Sequence, residues 1–351
     1  YTWVRISSGQ LGNGTSTNSN EPVYILTDFS VNKVVSRADH SVVIDSSGIM
    51  YSWGTNNAAL LGHPNGASRK PEQVSEGMMA NIKAVSVSTG NNHSLALGSD
   101  KRIYAWGSNA SGQLGLGYAA NVPSLISTLS DIKVISAGGG HSFAMTEDNR
   151  IYSWGYNDNG QLGNGTYSSV GLPTEITYNF VGLDETATTA GSGYSSVLNI
   201  GEKIYTWGWN IYGQLGSGVA STNNPLPGEV YAGGVLLNKE IVSISGGQYH
   251  SLVVDSSGRV YSWGRNDNGQ LGDGNKTNSN IPVEVDFGSL LDREIVSVKF
   301  DDSEALSFDV IDEKTIKAIV PPHAAGKVDV KITDSKGNLW VIALGYEYVE
   351  E

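Results

Sequence analysis

Four histidines recur at one place in a repeating pattern. They are His40, His93, His141 and His250, each followed directly by a serine. Imidazoles supplied once per repeat could converge into a ring that binds a metal. The sequence favours a structural role: each His opens a strand after a Gly turn, where it can hydrogen-bond the backbone of its neighbour. Tyr194 takes the His position in the unit from Ala190 and would break such a ring, while His63 and His323 lie in turns without partners. Asn157-Asp158-Asn159-Gly160 and Asn266-Asp267-Asn268-Gly269 have the composition of calcium loops. They lack the alternating oxygen ligands and the distal Glu of an EF-hand, so both are expected to be turns. No Gly-x-Ser-x-Gly elbow is present, and Gln-Leu-Gly-x-Gly does not lead from a strand into a helix as a phosphate cradle requires. No catalytic residue, metal ligand or cofactor is therefore assigned, and the chain is expected not to be an enzyme.

The elements that would position any functional group come from one repeated stretch, Ile151 to Thr166, IYSWGYNDNGQLGNGT. Copies run from Ile103 (IYAWGSNASGQLGLG), Ile204 (IYTWGWNIYGQLGSG) and Val260 (VYSWGRNDNGQLGDG), with weaker ones at Met50 and at the first residue. The tryptophans of the six copies, Trp3, Trp53, Trp106, Trp154, Trp207 and Trp263, are 50, 53, 48, 53 and 56 residues apart. Within a period, apolar residues alternate with Ser, Thr or Lys between closely spaced turn clusters, which is a strand signal. Ile132–Ser136, a strand from His141, Ile151–Trp154 and an irregular strand near Leu172–Thr177 give four strands per unit. Such a unit cannot bury both faces alone, and radial stacking gives a propeller. Tyr-x-Trp places two aromatic rings on one strand face, to fill the space between twisted sheets. Asn157 and Gly160 suit a loop that visits positive φ, and Leu162 returns to the core.

The better functional candidates are positions the repeat leaves free. The residue after Trp-Gly is Thr55, Ser108, Tyr156, Trp209 and Arg265 in successive copies. Tyr, Trp and Arg are the types that anchor interfaces. The copy at Trp209 adds Ile211 and Tyr212 where others have Asp and Asn, making an apolar patch in a turn that needs a partner or local packing. Tyr118 and Tyr167 follow the Gly-x-Gly unit and extend the same face. The partner-binding set is thus Tyr118, Tyr156, Tyr167, Trp209, Ile211, Tyr212 and Arg265.

Composition narrows the partner. Lys and Arg total 22 against 35 Asp and Glu, a formal net charge of −13, which does not suit a nucleic-acid partner. No run approaches the apolar length of a membrane helix, so insertion is not expected. With no Cys, disulfides and thiol chemistry are excluded. That count fits a reducing cytoplasm or a Cys-avoiding bacterial surface protein, and the Asn-, Ser-, Thr- and Gly-rich spacers favour the second.

Tyr-x-Trp-Gly-x-Asn-x-x-Gly-Gln-Leu-Gly with an upstream Gly-x-x-His-Ser, present as Gly90–Ser94, Gly138–Ser142 and Gly247–Ser251, resembles the regulator of chromosome condensation repeat over roughly residues 1 to 300. The resemblance implies an all-β propeller of four-stranded antiparallel blades, usually seven in the family; six repeats are legible here, for six or seven blades. The chain departs from the pattern at Val4, Ile6 and Ala59-Leu60. Family members include an exchange factor for Ran, a plant UV-B photoreceptor and a bacterial β-lactamase inhibitor. The acidic charge does not suit the first, and the Gly-Trp-Arg-His-Thr signature of the second is missing.

The expected domains are a propeller over 1–294 and a small β-sandwich-like segment over 295–351 that could lend strands to the last blade. The segment's Thr-Ile-Lys-Ala strand, Pro turn, Gly-Lys-Val-Asp-Val strand and closing Tyr-Glu-Tyr resemble the second half of IPT/TIG immunoglobulin-like domains. That resemblance implies a bacterial, secreted or cell-surface protein, the cytoplasm being the alternative. The expected function is a non-enzymatic module presenting one loop face to a protein partner. The alternative is a structural or adhesive, glycan-binding spacer.

Overall fold

The computed structural model describes residues 2–4, 9–25, 28–178, 180, 188–191, 196–200, 203–220, 223–231, 233–286, 295–312, 315–322, 326–334 and 339–348. Tyr194 and His323 lie outside them. The chain packs as two units, Tyr1–Val285 and Asp286–Glu351.

The first unit contains five four-stranded antiparallel meanders and a two-stranded sheet of Thr2–Val4 with Ser19–Val23. Blade 1 runs from Val31–Arg37 to Ser68–Gln73 and blade 2 from Ala84–Thr89 to Ala120–Leu125. Blade 3 joins Ile132–Ala137, His141–Thr146, Ile151–Gly155 and Val170–Glu175 in sequence order. Blade 4 runs from Thr188–Ala190 to Asn224–Glu229 and blade 5 from Ile241–Gly246 to Ser279–Glu284. The last strand of blade 3 starts and ends about two residues before the span expected from sequence, because Val170 pairs with Gly155.

The blades are joined through the tryptophans. Trp53, Trp106, Trp154, Trp207 and Trp263 are all at most 1% exposed. Each indole N–H donates to a backbone carbonyl in the loop of the preceding copy: to Gln10, Leu60, Gln113, Gln161 and Gln214, at 2.7 to 2.9 Å. Buried apolar residues fill the same seams; Val42, Ile44 and Met50 of blade 1 pack with Val87, Tyr104 and Trp106 of blade 2. Arg37 joins blades that are not neighbours. Arg37, ending the innermost strand of blade 1, donates to the carbonyls of Ala137 at 2.6 Å and Ala190 at 3.0 Å, on the innermost strands of blades 3 and 4. Replacing Arg37 with Met should lower stability in urea unfolding by about 2 kcal/mol, the worth of charge-assisted bonds to two carbonyls. An unchanged midpoint would mean that the bridge adds nothing.

In the second unit Ser303–Glu304, Ile295–Phe300, Gly326–Asp334 and Leu339–Tyr348 form one sheet, and Ser307–Asp312 pairs with Thr315–Ile319. Ile295–Phe300 pairs with Ser303–Glu304 on one edge and Gly326–Asp334 on the other, and Val298, Phe300 and Val328 are buried in a common cluster there. Thr2–Val4 pairs only with Ser19–Val23 among the described residues.

Candidate functional site

The loop after each third strand is held by its own side chains. In blade 3 the Asn157 amide oxygen accepts from the Leu162 N–H at 2.8 Å, and its Nδ2 donates to the carbonyls of Thr166 and Ser168. Gln161 Oε1 caps the Asn159 N–H at 2.9 Å, and Ser153 Oγ donates to the Leu162 carbonyl at 2.7 Å. The loop visits positive φ at Gly160, while Asn157 is fully buried and is not among the residues at positive φ. Its bonds across the loop, rather than left-handed backbone, explain its presence. Gly155 does need its conformation: φ is +103°, and a Cβ there would lie 2.6 Å from the Gly140 carbonyl oxygen.

The histidines face the neighbouring blade. His93 Nε2 lies 2.9 Å from Ser142 Oγ, which donates to the Gln113 carbonyl at 2.7 Å, so Nε2 carries the proton. His40 Nε2 meets Ser94 Oγ at 3.1 Å in the same way. The partner is thus a serine hydroxyl, where the sequence suggested backbone. The Nδ1 atoms of His40 and His93 are buried without a hydrogen bond. Burial pushes the pKa down to about 4 for His40 and about 3 for His93 and His141, with the Arg37 charge a further cause for the last two. These neutral imidazoles and their serines are blade fasteners.

The sequence-selected residues separate into groups. Trp209, Tyr212 and Arg265 come together with a residue not selected, Tyr249. The Trp209 ring lies 5.5 Å from Tyr249 and 6.4 Å from Tyr212, and the two tyrosines are 5.4 Å apart. The Arg265 guanidinium stands over both tyrosine rings, 5.2 Å from Tyr212 and 5.6 Å from Tyr249. Its Nε donates to Asp267 at 2.8 Å, and this bond is the main cause that raises the Arg265 pKa. Ile211, in the same loop as Trp209 and Tyr212, is 51% exposed. Two blades thus supply three half-buried rings and one fixed cation to one surface, beside a loop that carries the exposed Ile211.

The others stand elsewhere. Burial raises the Tyr156 hydroxyl pKa and a hydrogen bond to Asp158 adds to it, so this ring leans on its own loop. Tyr167 donates to the Asn223 carbonyl at 3.4 Å, tying the loops of blades 3 and 4. Tyr118 lines a groove of about 750 Å³ between the loops of blades 1 and 2, with His63, whose ring nitrogens are both buried without a hydrogen bond. A second cavity, of about 500 Å³, is lined by Arg37, Asp39, Asn57, Asn91, Asn92 and Gln248 from blades 1, 2 and 5. Tyr249 had a signal in the sequence: the residue before the repeated His is Asp39, Asn92 and Gly140 in other copies, and an aromatic ring at a position otherwise small or polar needs a reason.

Stacked four-stranded meanders fastened by Trp and His-Ser bonds define a repeat propeller with a variable loop face. The chain belongs to the family of the Regulator of chromosome condensation (RCC1) repeat, which it matches over residues 47–97, 100–145, 148–198, 202–254 and 257–300. It is 33% identical over 313 residues to the Ultraviolet-B receptor UVR8 of Arabidopsis thaliana, covering 85% of this chain and 67% of that protein. It is 31% identical over 282 residues to the E3 ubiquitin-protein ligase HERC2 of Mus musculus, covering 76% of this chain but only 6% of HERC2. Among solved structures, human WBSCR16 matches with a TM-score of 0.69 at 23% identity, over 83% of this chain and 77% of that one. Yeast RCC1 (Prp20), solved bound to Kap60, matches with a TM-score of 0.67 at 22% identity, over 83% and 71% of the two chains. These likenesses to solved structures establish the fold.

Proposed function

We propose that the chain is a non-enzymatic binding module that presents the face around Trp209, Ile211, Tyr212, Tyr249 and Arg265 to a protein partner. The observation that carries this is the gathering of three aromatic rings and a guanidinium at repeat positions where blade 1 has Thr55, Ala58 and Asp39 and blade 2 has Ser108, Ser111 and Asn92. Such residues dominate binding energy when they are partly buried and fixed before a partner arrives. Membership of a family that includes proteins named for reception and found bound to other proteins supports the same reading. The setting we propose is a secreted or cell-surface protein of a bacterium, on the ground of the tail's Thr-Ile-Lys-Ala and Gly-Lys-Val-Asp-Val pattern.

A partner purified from the source organism and measured against the isolated chain provides the test. Trp209→Ala with Tyr212→Ala should weaken binding by about 100-fold or more, as expected for paired hot-spot residues. Thermal unfolding should shift by no more than a few degrees, because both rings are half-exposed. Undiminished affinity would refute the assignment of this face.

A further inference from the structure

We propose that this face takes an extended peptide segment carrying one acidic side chain, whose carboxylate is set on Arg265 while its main chain lies over the amide-lined cavity beside the aromatic cluster. The proposal rests on the protein-binding reading and adds the chemistry of the partner.

The guanidinium is the first ground. Its single hydrogen bond runs from Nε to Asp267, and both Nη groups are left without an acceptor among the described residues. Tyr212 and Tyr249 both have their rings against the guanidinium, and Asp267 fixes its Nε edge. A planar fork that is stacked, ion-paired at Nε and open at Nη is organised for a second carboxylate. Little side-chain entropy remains to be lost when that carboxylate arrives.

Continuity with the cavity is the second ground. Gln248 lines the cavity of about 500 Å³, and the next residue, Tyr249, belongs to the aromatic cluster. Asn57 and Asn92, from blades 1 and 2, line the same cavity with their carboxamides. Carboxamides have one acceptor and two donors, the complement of a peptide unit's N–H and C=O. A folded, convex surface would leave such groups unpaired at its contact, whereas a strand-like segment can answer them in turn. The space suits a few residues of extended chain, within the usual range of ligand sites.

Overall charge sets the composition of that segment. At a net charge of −13, the protein repels a highly acidic peptide at long range. One carboxylate among apolar and polar residues fits, with an apolar neighbour to pack on Trp209 and the exposed Ile211.

Selection from a displayed library of linear peptides against the whole chain tests this, with affinities of recovered peptides measured by fluorescence anisotropy. Recovered sequences should share an Asp or Glu next to an apolar residue. Arg265→Ala should weaken them by about tenfold or more, and Arg265→Lys nearly as much, since Lys keeps the charge but not the stacked fork. Asn92→Ala should weaken them further. Peptides without a shared acidic residue, or with affinity indifferent to Arg265→Ala, would overturn the proposal while leaving the protein-binding face intact if Trp209→Ala still abolishes binding. Recovered peptides insensitive to both Arg265→Ala and Trp209→Ala would overturn both readings.

Discussion

Trp154→Ala is expected to destabilise the first unit by about 4 kcal/mol, the usual loss for removing a large buried aromatic ring from a core. The ring is fully buried, and it packs with Leu114, Ile135, Ala137 and Ala144 in the seam between blades 2 and 3. Its N–H satisfies the Gln113 carbonyl at 2.9 Å, and Gly115 approaches so closely that a Cβ there would come within 2.9 Å of Nε1. A seam fitted this tightly around one ring cannot collapse to fill the void, which places the loss in the upper part of the range. Tyr156→Ala, two residues along the same stretch, should change stability by only about 0.5 kcal/mol because the ring is half-exposed and bonded within its own loop. Equilibrium urea unfolding of the two variants separates scaffold from display. Equal losses would contradict the division of the repeat into these two kinds of position.

Acid should unfold the blades at a pH where most carboxylates are still ionised. The ordinary imidazole pKa of 6.5 is lowered by burial to about 4 in His40 and to about 3 in His93 and His141. Since these pKa values are depressed on folding, the unfolded chain binds more protons below pH 6.5, and stability falls as pH drops from there towards 4. At pH 5 each imidazole contributes a loss of about 2 kcal/mol relative to pH 7. The structure shows why the proton is refused: in His40 and His93, Nε2–H already points at the next blade's serine and Nδ1 is buried without a hydrogen bond, and Arg37 adds a like charge beside His93 and His141. Unfolding free energies at pH 7, 6 and 5 measure the slope, and His93→Gln should flatten it. A stability constant from pH 7 to 5 would contradict the burial of neutral imidazoles.

Much of this architecture was legible from the repeat, for a local reason. Trp154, Gly155, Asn157, Gln161 and Leu162 contact residues at fixed short offsets or at the same place in the next copy, so each repetition of the pattern reports the same contact. Arg37 could not be read this way. Its acceptors are 100 and 153 residues distant, and among the described residues no other copy has an equivalent bond to reveal it. Tyr249 fell in a position that the repeat leaves open, and only its size distinguished it. Tyr118, Tyr156 and Tyr167 were grouped with the cluster because the sequence places them on loops alike, but loop position does not fix the direction in which a ring points. The role of Asn157 was half seen: a loop residue from its type, a buried hydrogen-bond hub from its partners.

The bond from Arg37 has a bearing on how the blades come apart. An array held only by contacts between successive blades loses its members in order, from whichever end frays, and its melting broadens as blades are added. A side chain that ties the first blade to the third and fourth makes the release of one depend on the others. The loosest member of the series is then retained by partners it does not touch through its own sheet. To the contacts between successive blades, one guanidinium here adds a link among blades 1, 3 and 4.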